Sequence, residues 1–177
     1  MLSTKGKSFE GARVAISGSG NVAQFACEKV LDLGGKPVTM SDSGGYIYDD
    51  SGIDREKLAW IMDLKNNRRG RIKEYVKQYP GAVYHEGKRP WGEKCDIALP
   101  SATQNEIEEK GANNLVKNGC MAISEGANMP TSPEAYAILS KADVLFGPAK
   151  AANAGGVAVS ALEMSQNCLL YTYPSPR

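Results

Sequence analysis

An apolar run, Val14-Ala15-Ile16, breaks at two glycines separated by one serine and passes directly into a helix-period segment, AISGSGNVAQFACEKV over residues 15–30. The string Gly18-Ser19-Gly20-Asn21-Val22-Ala23 therefore fits G-x-G-x-x-G/A between a strand and a helix. In that pattern the first glycine permits the tight turn, the second lets main chain approach a diphosphate, and the small third residue keeps helix and strand close. Unpaired N–H groups at the helix start face the phosphates, helped by the positive end of the helix dipole. An ordinary tight strand-to-helix turn has the same string, so context has to decide. The next apolar strand ends in Ser41-Asp42-Ser43, which sets Asp42 24 residues beyond Gly18. An acid about there is expected to meet a ribose, although it could equally cap a turn. Strand, turn, helix, strand and acid in that order predict a dinucleotide-binding unit.

The remainder of the chain fits such a unit. Its 177 residues are enough for one domain with a real core and too few for two full-sized ones. Predicted strands cover Arg13–Ser17, Pro37–Ser41, Ala82–His85, Asp96–Pro100, Met121–Ser124 and Val144–Phe146. Helical periodicity covers Val22–Leu33, Arg55–Tyr79 with a break at Gly70, Asn105–Lys117 and Ser132–Lys141, with Val157–Asn167 last. Asn105 reads as a helix cap. The stretch SGGYIYDDSG, residues 43–52, predicts a small hairpin or excursion, and the glycine-rich ANAGGV, residues 152–157, predicts a loop. Alternation of strands with helices predicts an α/β fold with a mostly parallel open sheet and helices on both faces.

Charge and cysteine content exclude several functions. A net charge of +1 argues against a chain built to neutralise nucleic acid, and no apolar stretch is long enough to cross a bilayer. The first residues lack the apolar segment of a secretory signal, so a cytoplasmic setting is expected. Cys27, Cys95, Cys120 and Cys168 are widely spaced without a C-x-x-C pair and read as reduced, partly buried thiols. His85 is the sole histidine, which rules out multi-histidine metal sites, and nothing local places a thiol beside it.

Lys65, Arg68, Arg69, Arg71 and Lys73 form the strong basic cluster. It reads either as a solvated helix face or as a source of one or two cations, Lys65 and Arg68 foremost, for the 2′-phosphate of NADP beside Asp42 and Ser43. No aromatic residues interleave with the cluster, which disfavours RNA. Asp42 alone favours NAD by repelling a 2′-phosphate, whereas Ser41, Ser43 and the cations favour NADP. The balance favours NADP.

FEGARVAISGSGNVAQ, DIALPSATQNEI, EGANMPT and KAANAGGVAVSALEMSQN, in that order, resemble the nucleotide domain of hexameric bacterial-type glutamate dehydrogenases. The resemblance implies a modified Rossmann fold over residues 1–167 and interconversion of L-glutamate with 2-oxoglutarate and ammonia by hydride transfer with NADP or NAD. It implies that Gly18, Ser19, Gly20, Asn21 and Val22 hold the diphosphate. Ala102, Thr103, Gln104 and Asn128 would follow the riboses, and Asn153 would lie near the nicotinamide amide. Val157 and Ser160 would face the substrate. The family's substrate domain, with its reactive lysine and its proton-transfer acid, has no matching positions here. This chain is accordingly expected to bind cofactor, to carry no catalytic residue and no metal, and to be inactive alone, within a homo-hexameric full-length enzyme. Residues 168–177 depart from the family and are expected to be disordered or artefactual. A dinucleotide-sensing module without catalysis is the competing reading.

Overall fold

Alternating burial along the first strand sets the layers. In β1 (Arg13–Ile16), Val14 and Ile16 enter one apolar cluster with Met40 and Ile61, while Ala15 enters another with Ala98 and Leu115. Neighbouring strand residues point to opposite faces, so a strand buried on both sides must have cover on both sides. The chain, described by a computed structural model for the backbone of residues 1–172 and the side-chain surroundings of residues 1–167, supplies that cover with helices.

Elements follow in the order β1, α1 (Asn21–Asp32), β2 (Lys36–Asp42), β3 (Gly45–Tyr48), α2 (Arg55–Met62), α3 (Tyr75–Gln78), β4 (Val83–Glu86) and β5 (Ile97–Leu99). Then come α4 (Glu109–Lys117), β6 (Ala122–Ser124), α5 (Pro133–Lys141), β7 (Leu145–Gly147), α6 (Ala149–Ala152) and α7 (Ala154–Thr172). The seven strands form one sheet in the order β4-β3-β2-β1-β5-β6-β7. From β2 through β1, β5 and β6 to β7 the pairings are parallel, whereas β3 runs antiparallel to both β2 and β4. This is the predicted α/β architecture, and the 43–52 hairpin is realised as the β2–β3 turn. None of the described helices is long and apolar enough to cross a membrane.

Pro37 sits within β2 without an N–H to donate, and the β1–β2 register slips between Val14 and Ala15. The Thr39 hydroxyl repairs the ladder there. It accepts from the Ile16 N–H at 2.9 Å and donates to the Ile16 carbonyl at 3.0 Å. On α1, Ala23, Cys27 and Val30 recur at helical spacing and are buried against the sheet. Burial pushes the Cys27 thiol up to about 12, and Cys27, Cys95 and Cys120 are free thiols in the core. The expectation for Cys168 lies outside the described side chains.

Two helix boundaries differ from expectation. The predicted helix Asn105–Lys117 begins at Glu109, not Asn105, because residues 105–107 are drawn into extended pairing with 129–132. Asn105 donates its N–H to the Met129 carbonyl at φ 51°, and Ile107 donates to the Pro130 carbonyl. Asn105 is therefore no cap. The glycine-rich 152–157 stretch is helical on both sides of Asn153, since α6 ends at Ala152 and α7 takes in Gly155 and Gly156. Each glycine costs a helix about 1 kcal/mol relative to alanine, a penalty a long run of good helix formers absorbs. The backbone of α7 continues past Asn167 to Thr172, and the rest of the tail for which disorder was expected, 173–177, lies outside the described residues.

Asp49 is the buried polar anchor beneath the β2–β3 hairpin. Lys57 Nζ and the Tyr75 hydroxyl each donate to its Oδ2 at 2.8 Å, and the Ser51 hydroxyl donates to Oδ1. Burial pushes its pKa up, but these donors together outweigh burial and hold the carboxyl below the usual carboxylate value. A depressed carboxyl pKa adds stability that is present above about pH 4 and is lost as pH falls through the folded-state value. Asp49→Asn is expected to lower stability by about 2 kcal/mol at neutral pH and to flatten the acid limb of the stability curve. Denaturant unfolding between pH 7 and pH 3 measures both; an acid limb as steep as that of the parent would exclude this role.

Candidate nucleotide-binding cleft

The glycine turn lies where the sheet order reverses. From β1 the chain moves to β2 on one side and later to β5 on the other, and the loops after β1 and β5 part over the carboxyl ends of the strands. Gly18 has φ 82°, and a Cβ there would stand 2.8 Å from the Ser101 carbonyl oxygen, so no side chain fits. The Gly18 N–H donates to Ser41 Oγ at 2.7 Å, and the Ser41 N–H donates back to the Gly18 carbonyl. On the other flank the Ser101 N–H donates to Ser17 Oγ at 2.8 Å. Three strand ends are thereby stitched together.

Gly20 caps α1 with extended backbone and no side-chain acceptor, so the first-turn N–H groups lack a side-chain partner. A Cβ on Gly20 would meet no protein atom within 4 Å. The space beside it opens into a hollow of about 770 Å³, lined by the glycine turn, Asp42 and Ser43 at the end of β2, Ala102 and Thr103 after β5, and Lys88 and Arg89 after β4. A second hollow of about 860 Å³ shares Val22, Ala102 and Thr103 with the first. It continues past Gln104 and Asn128 to Asn153, Val157 and Ser160. An extended ligand with two ends fits this pair, and bare amides beside open space fit a diphosphate between them.

Fourteen of the sixteen residues singled out from the sequence thus line one hollow or the other, and Lys65 and Arg68 do not. Lys65 lies behind the first hollow, donating to the Gly70 carbonyl and standing 3.8 Å from Asp42 Oδ2. Arg68 is turned away: its Nε pairs with Asp63 at 2.8 Å, and its guanidinium lies over the Trp60 ring. Arg71, from the same cluster, lines neither hollow but donates to Ser43 Oγ, a lining residue of the first, at 2.7 Å. A π-helical turn, Asp63–Asn67, rotates these residues away from simple helical spacing.

Asp42 is more constrained than a free ribose ligand. Its Oδ1 accepts from the Gly44 N–H at 2.8 Å and its Oδ2 from the Ile72 N–H at 2.9 Å. With Lys65 close by, its charge is largely matched from within the protein. Asn153 Nδ2 donates to the Gly126 and Ala127 carbonyls and to Asn128 Oδ1, which ties the α6–α7 junction to the loop after β6. The buried Glu125 accepts from the Ala149 N–H and fixes the start of α6.

Sequence reasoning missed Glu106, Lys88 and Arg89. Glu106 is buried beneath the first hollow and accepts from the Ala102 and Thr103 N–H groups at 3.0 and 3.3 Å. Burial pushes its pKa up, against the Ser17 hydroxyl, those two amides and the charge of Arg89, which offset part of the rise. Nothing in the linear pattern distinguishes it from Glu108 or Glu109. The Lys88-Arg89 pair was legible as charge, but only the fold brings β4 beside the β2–β3 turn.

A family model described as Glutamate/Leucine/Phenylalanine/Valine dehydrogenase matches residues 1–175. The chain is 63% identical to a glutamate dehydrogenase of Bacteroides thetaiotaomicron over 169 residues, 96% of this chain and 38% of that protein. It is also 63% identical to an NAD(P)-specific glutamate dehydrogenase of Xylanibacter ruminicola, covering 94% of this chain and 37% of that one. The crystal structure of a Plasmodium falciparum glutamate dehydrogenase superposes with a TM-score of 0.90 at 44% identity, covering 96% of this chain and 36% of that one. The chain thus spans well under half the length of the curated relatives it matches.

The two glycines of the turn are expected to respond in opposite ways. Gly18→Ala forces a Cβ against the Ser101 carbonyl at positive φ and should lower stability by about 1–3 kcal/mol. Gly20→Ser introduces a favourable cap and should stay within roughly 0.5 kcal/mol of the parent. Chemical denaturation of both variants checks this, and equal losses would show that the turn is not pinned on Ser101.

Proposed function

The chain belongs to the Glutamate/Leucine/Phenylalanine/Valine dehydrogenase family, and from that premise we propose that it is the nucleotide-holding part of an NAD(P)-dependent glutamate dehydrogenase. The observation that carries this reading is the uncapped start of α1 at Gly20, opening on space between the ends of β1, β2 and β5. The N–H groups of the first turn would take the diphosphate, assisted by the helix dipole. Ser43 and Arg71, held together at 2.7 Å, would meet the adenosine ribose and its 2′-phosphate. The second hollow would take the nicotinamide end, beside Asn128, Asn153, Val157 and Ser160.

A bound oxidised nicotinamide cofactor would accept the hydride from the α-carbon of L-glutamate, water would then release 2-oxoglutarate and ammonia from the resulting imine, and in reverse the reduced cofactor would return the hydride to the imine carbon. Removing the amino group also requires proton transfers by groups held close to the substrate. Among its described lining residues the second hollow contains no titratable side chain. We therefore assign to this chain the binding and orientation of cofactor, with Ser160 offering a hydroxyl to a substrate carboxylate. The groups that move protons would come from the length that relatives have beyond the matched region, within a soluble homo-hexamer. NADP is favoured over NAD, because Asp42 has both oxygens engaged by main-chain N–H groups and a lysine nearby.

On titration with NADPH and with NADH the chain is expected to show saturable changes in nicotinamide fluorescence, and no turnover of glutamate. Gly20→Ser should weaken both dinucleotides by about ten-fold or more, because its hydroxyl occupies the amides that a diphosphate needs. Arg71→Ala should weaken NADPH alone. Absence of saturable binding of either dinucleotide at millimolar concentration would end this reading.

A further inference from the structure

Two cations on a loop outside the basic cluster face the same hollow. The last β3–β4 pair is Gly45 with Glu86, and the Gly87 N–H then donates to the Gly44 carbonyl at 2.8 Å. That bond hooks the loop after β4 onto the turn that carries Asp42 and Ser43. Gly87 has φ 64°, which turns the chain back over the cleft. Beyond the loop, Pro90 and Trp91 are buried, and Trp91 Nε1 donates to the Glu106 carbonyl at 3.0 Å. Lys88 and Arg89 are thus a two-residue span fixed at both ends.

Both side chains are exposed and both line the first hollow. Lys5, Arg13, Arg55, Lys57 and Arg68 all have carboxylate partners. Among the described residues neither Lys88 nor Arg89 makes an ion pair or a side-chain hydrogen bond. Arg89 lies near enough to the cleft floor for its charge to be felt at the Glu106 carboxyl. Arg71, from a different segment, donates to Ser43 Oγ on the same β2–β3 turn. An anion lodged at that turn would lie near cations from two separate segments, with Asp42 already matched by Ile72, Gly44 and Lys65.

We propose that Lys88 and Arg89 form the second cationic wall around the 2′-phosphate of the adenosine ribose, and so help select NADP over NAD. This rests on the dinucleotide reading above and extends it to residues outside the 65–73 cluster. A phosphate dianion is well matched by one guanidinium and one ammonium on a loop fixed against the turn that carries Ser43. Among the described residues the pair makes no ion pair or side-chain hydrogen bond that would have to be released before binding.

The test compares the parent chain with the double variant Lys88→Gln/Arg89→Gln at one fixed ionic strength, using NADPH, NADH, 2′,5′-ADP and 5′-AMP as probes. The variant should weaken NADPH and 2′,5′-ADP by about ten-fold or more while NADH and 5′-AMP stay within about two-fold. The exchange Lys88→Arg/Arg89→Lys should restore most of the 2′-phosphate affinity. Because both positions are exposed, thermal unfolding midpoints should match the parent, which separates binding from folding. Unchanged NADPH affinity would overturn the proposal, as would equal weakening of all four probes, since that outcome places the pair at the 5′-phosphates or makes it a general field. If the unaltered chain bound neither dinucleotide, the parent reading would fail first, and that result is distinct from a selective loss in the variant.

Discussion

The close approach of Gly18 to the carbonyl of Ser101 is the contact on which the arrangement depends. β1 runs parallel to both β2 and β5, so its exit has a strand end on either flank. A Cβ at Gly18 would strike main chain, not a side chain free to swing aside. The bonds joining Gly18 to Ser41 and Ser17 to Ser101 then hold all three exits in register. Because the exits are fixed, α1 must start at Gly20 and point its first amides into the gap between β2 and β5. Moving that crossing would move the mouth of the cleft and the direction of the helix dipole together.

Around this crossing, charge is distributed unevenly. The first hollow has Asp42 and Glu106 at its walls, yet both carboxylates are engaged by main-chain N–H groups. Buried or half-buried acids are tolerable when their lone pairs are filled in this way. The other charged groups lining it are positive, Lys88 and Arg89, and the start of α1 adds its bare amides. The second hollow has amide and hydroxyl groups and no described ionisable side chain. An anion therefore has one preferred end of the trough, and a neutral or weakly polar ring has the other. This polarity orients an extended ligand before any individual contact is made.

Much of this was legible in the linear sequence where local and global preferences agree. The run Val14-Ala15-Ile16, the glycines and the 3.6-residue apolar face of α1 all specify the same βα unit, and each appears where expected. The β2–β3 hairpin was visible from its glycines, but the sequence did not show that β3 and β4 extend the sheet antiparallel. Strand direction depends on long-range pairing that a local pattern does not encode. Asn105 looked like a cap because capping is a local preference, and pairing with residues 129–132 overrode it. Arg68 and Arg71 were equivalent as charges; a π-turn and the Trp60 ring sent one away and left the other beside Ser43. Glu106 carried no signal, since its role comes from amides that approach it only after the loop has folded.

The helical course of residues 154–160 changes what the end of the trough can do. As a flexible loop, that stretch would have let Val157 and Ser160 adopt many positions. In α7 they are three residues apart and share a face, with Gly156 beside them on the same hollow. Glycine at that point keeps the helix surface low, so the trough is not closed by side chains from its own wall. Asn153, between α6 and α7, binds two carbonyls and an amide oxygen of the 126–128 segment, which fixes where the helix begins. A hydroxyl held on a helix whose origin is tied to the neighbouring loop loses less freedom on meeting a carboxylate than one on a free segment. Two glycines in a helix are thus the local cost of a shallow, ordered wall, and the three hydrogen bonds of Asn153 offset it.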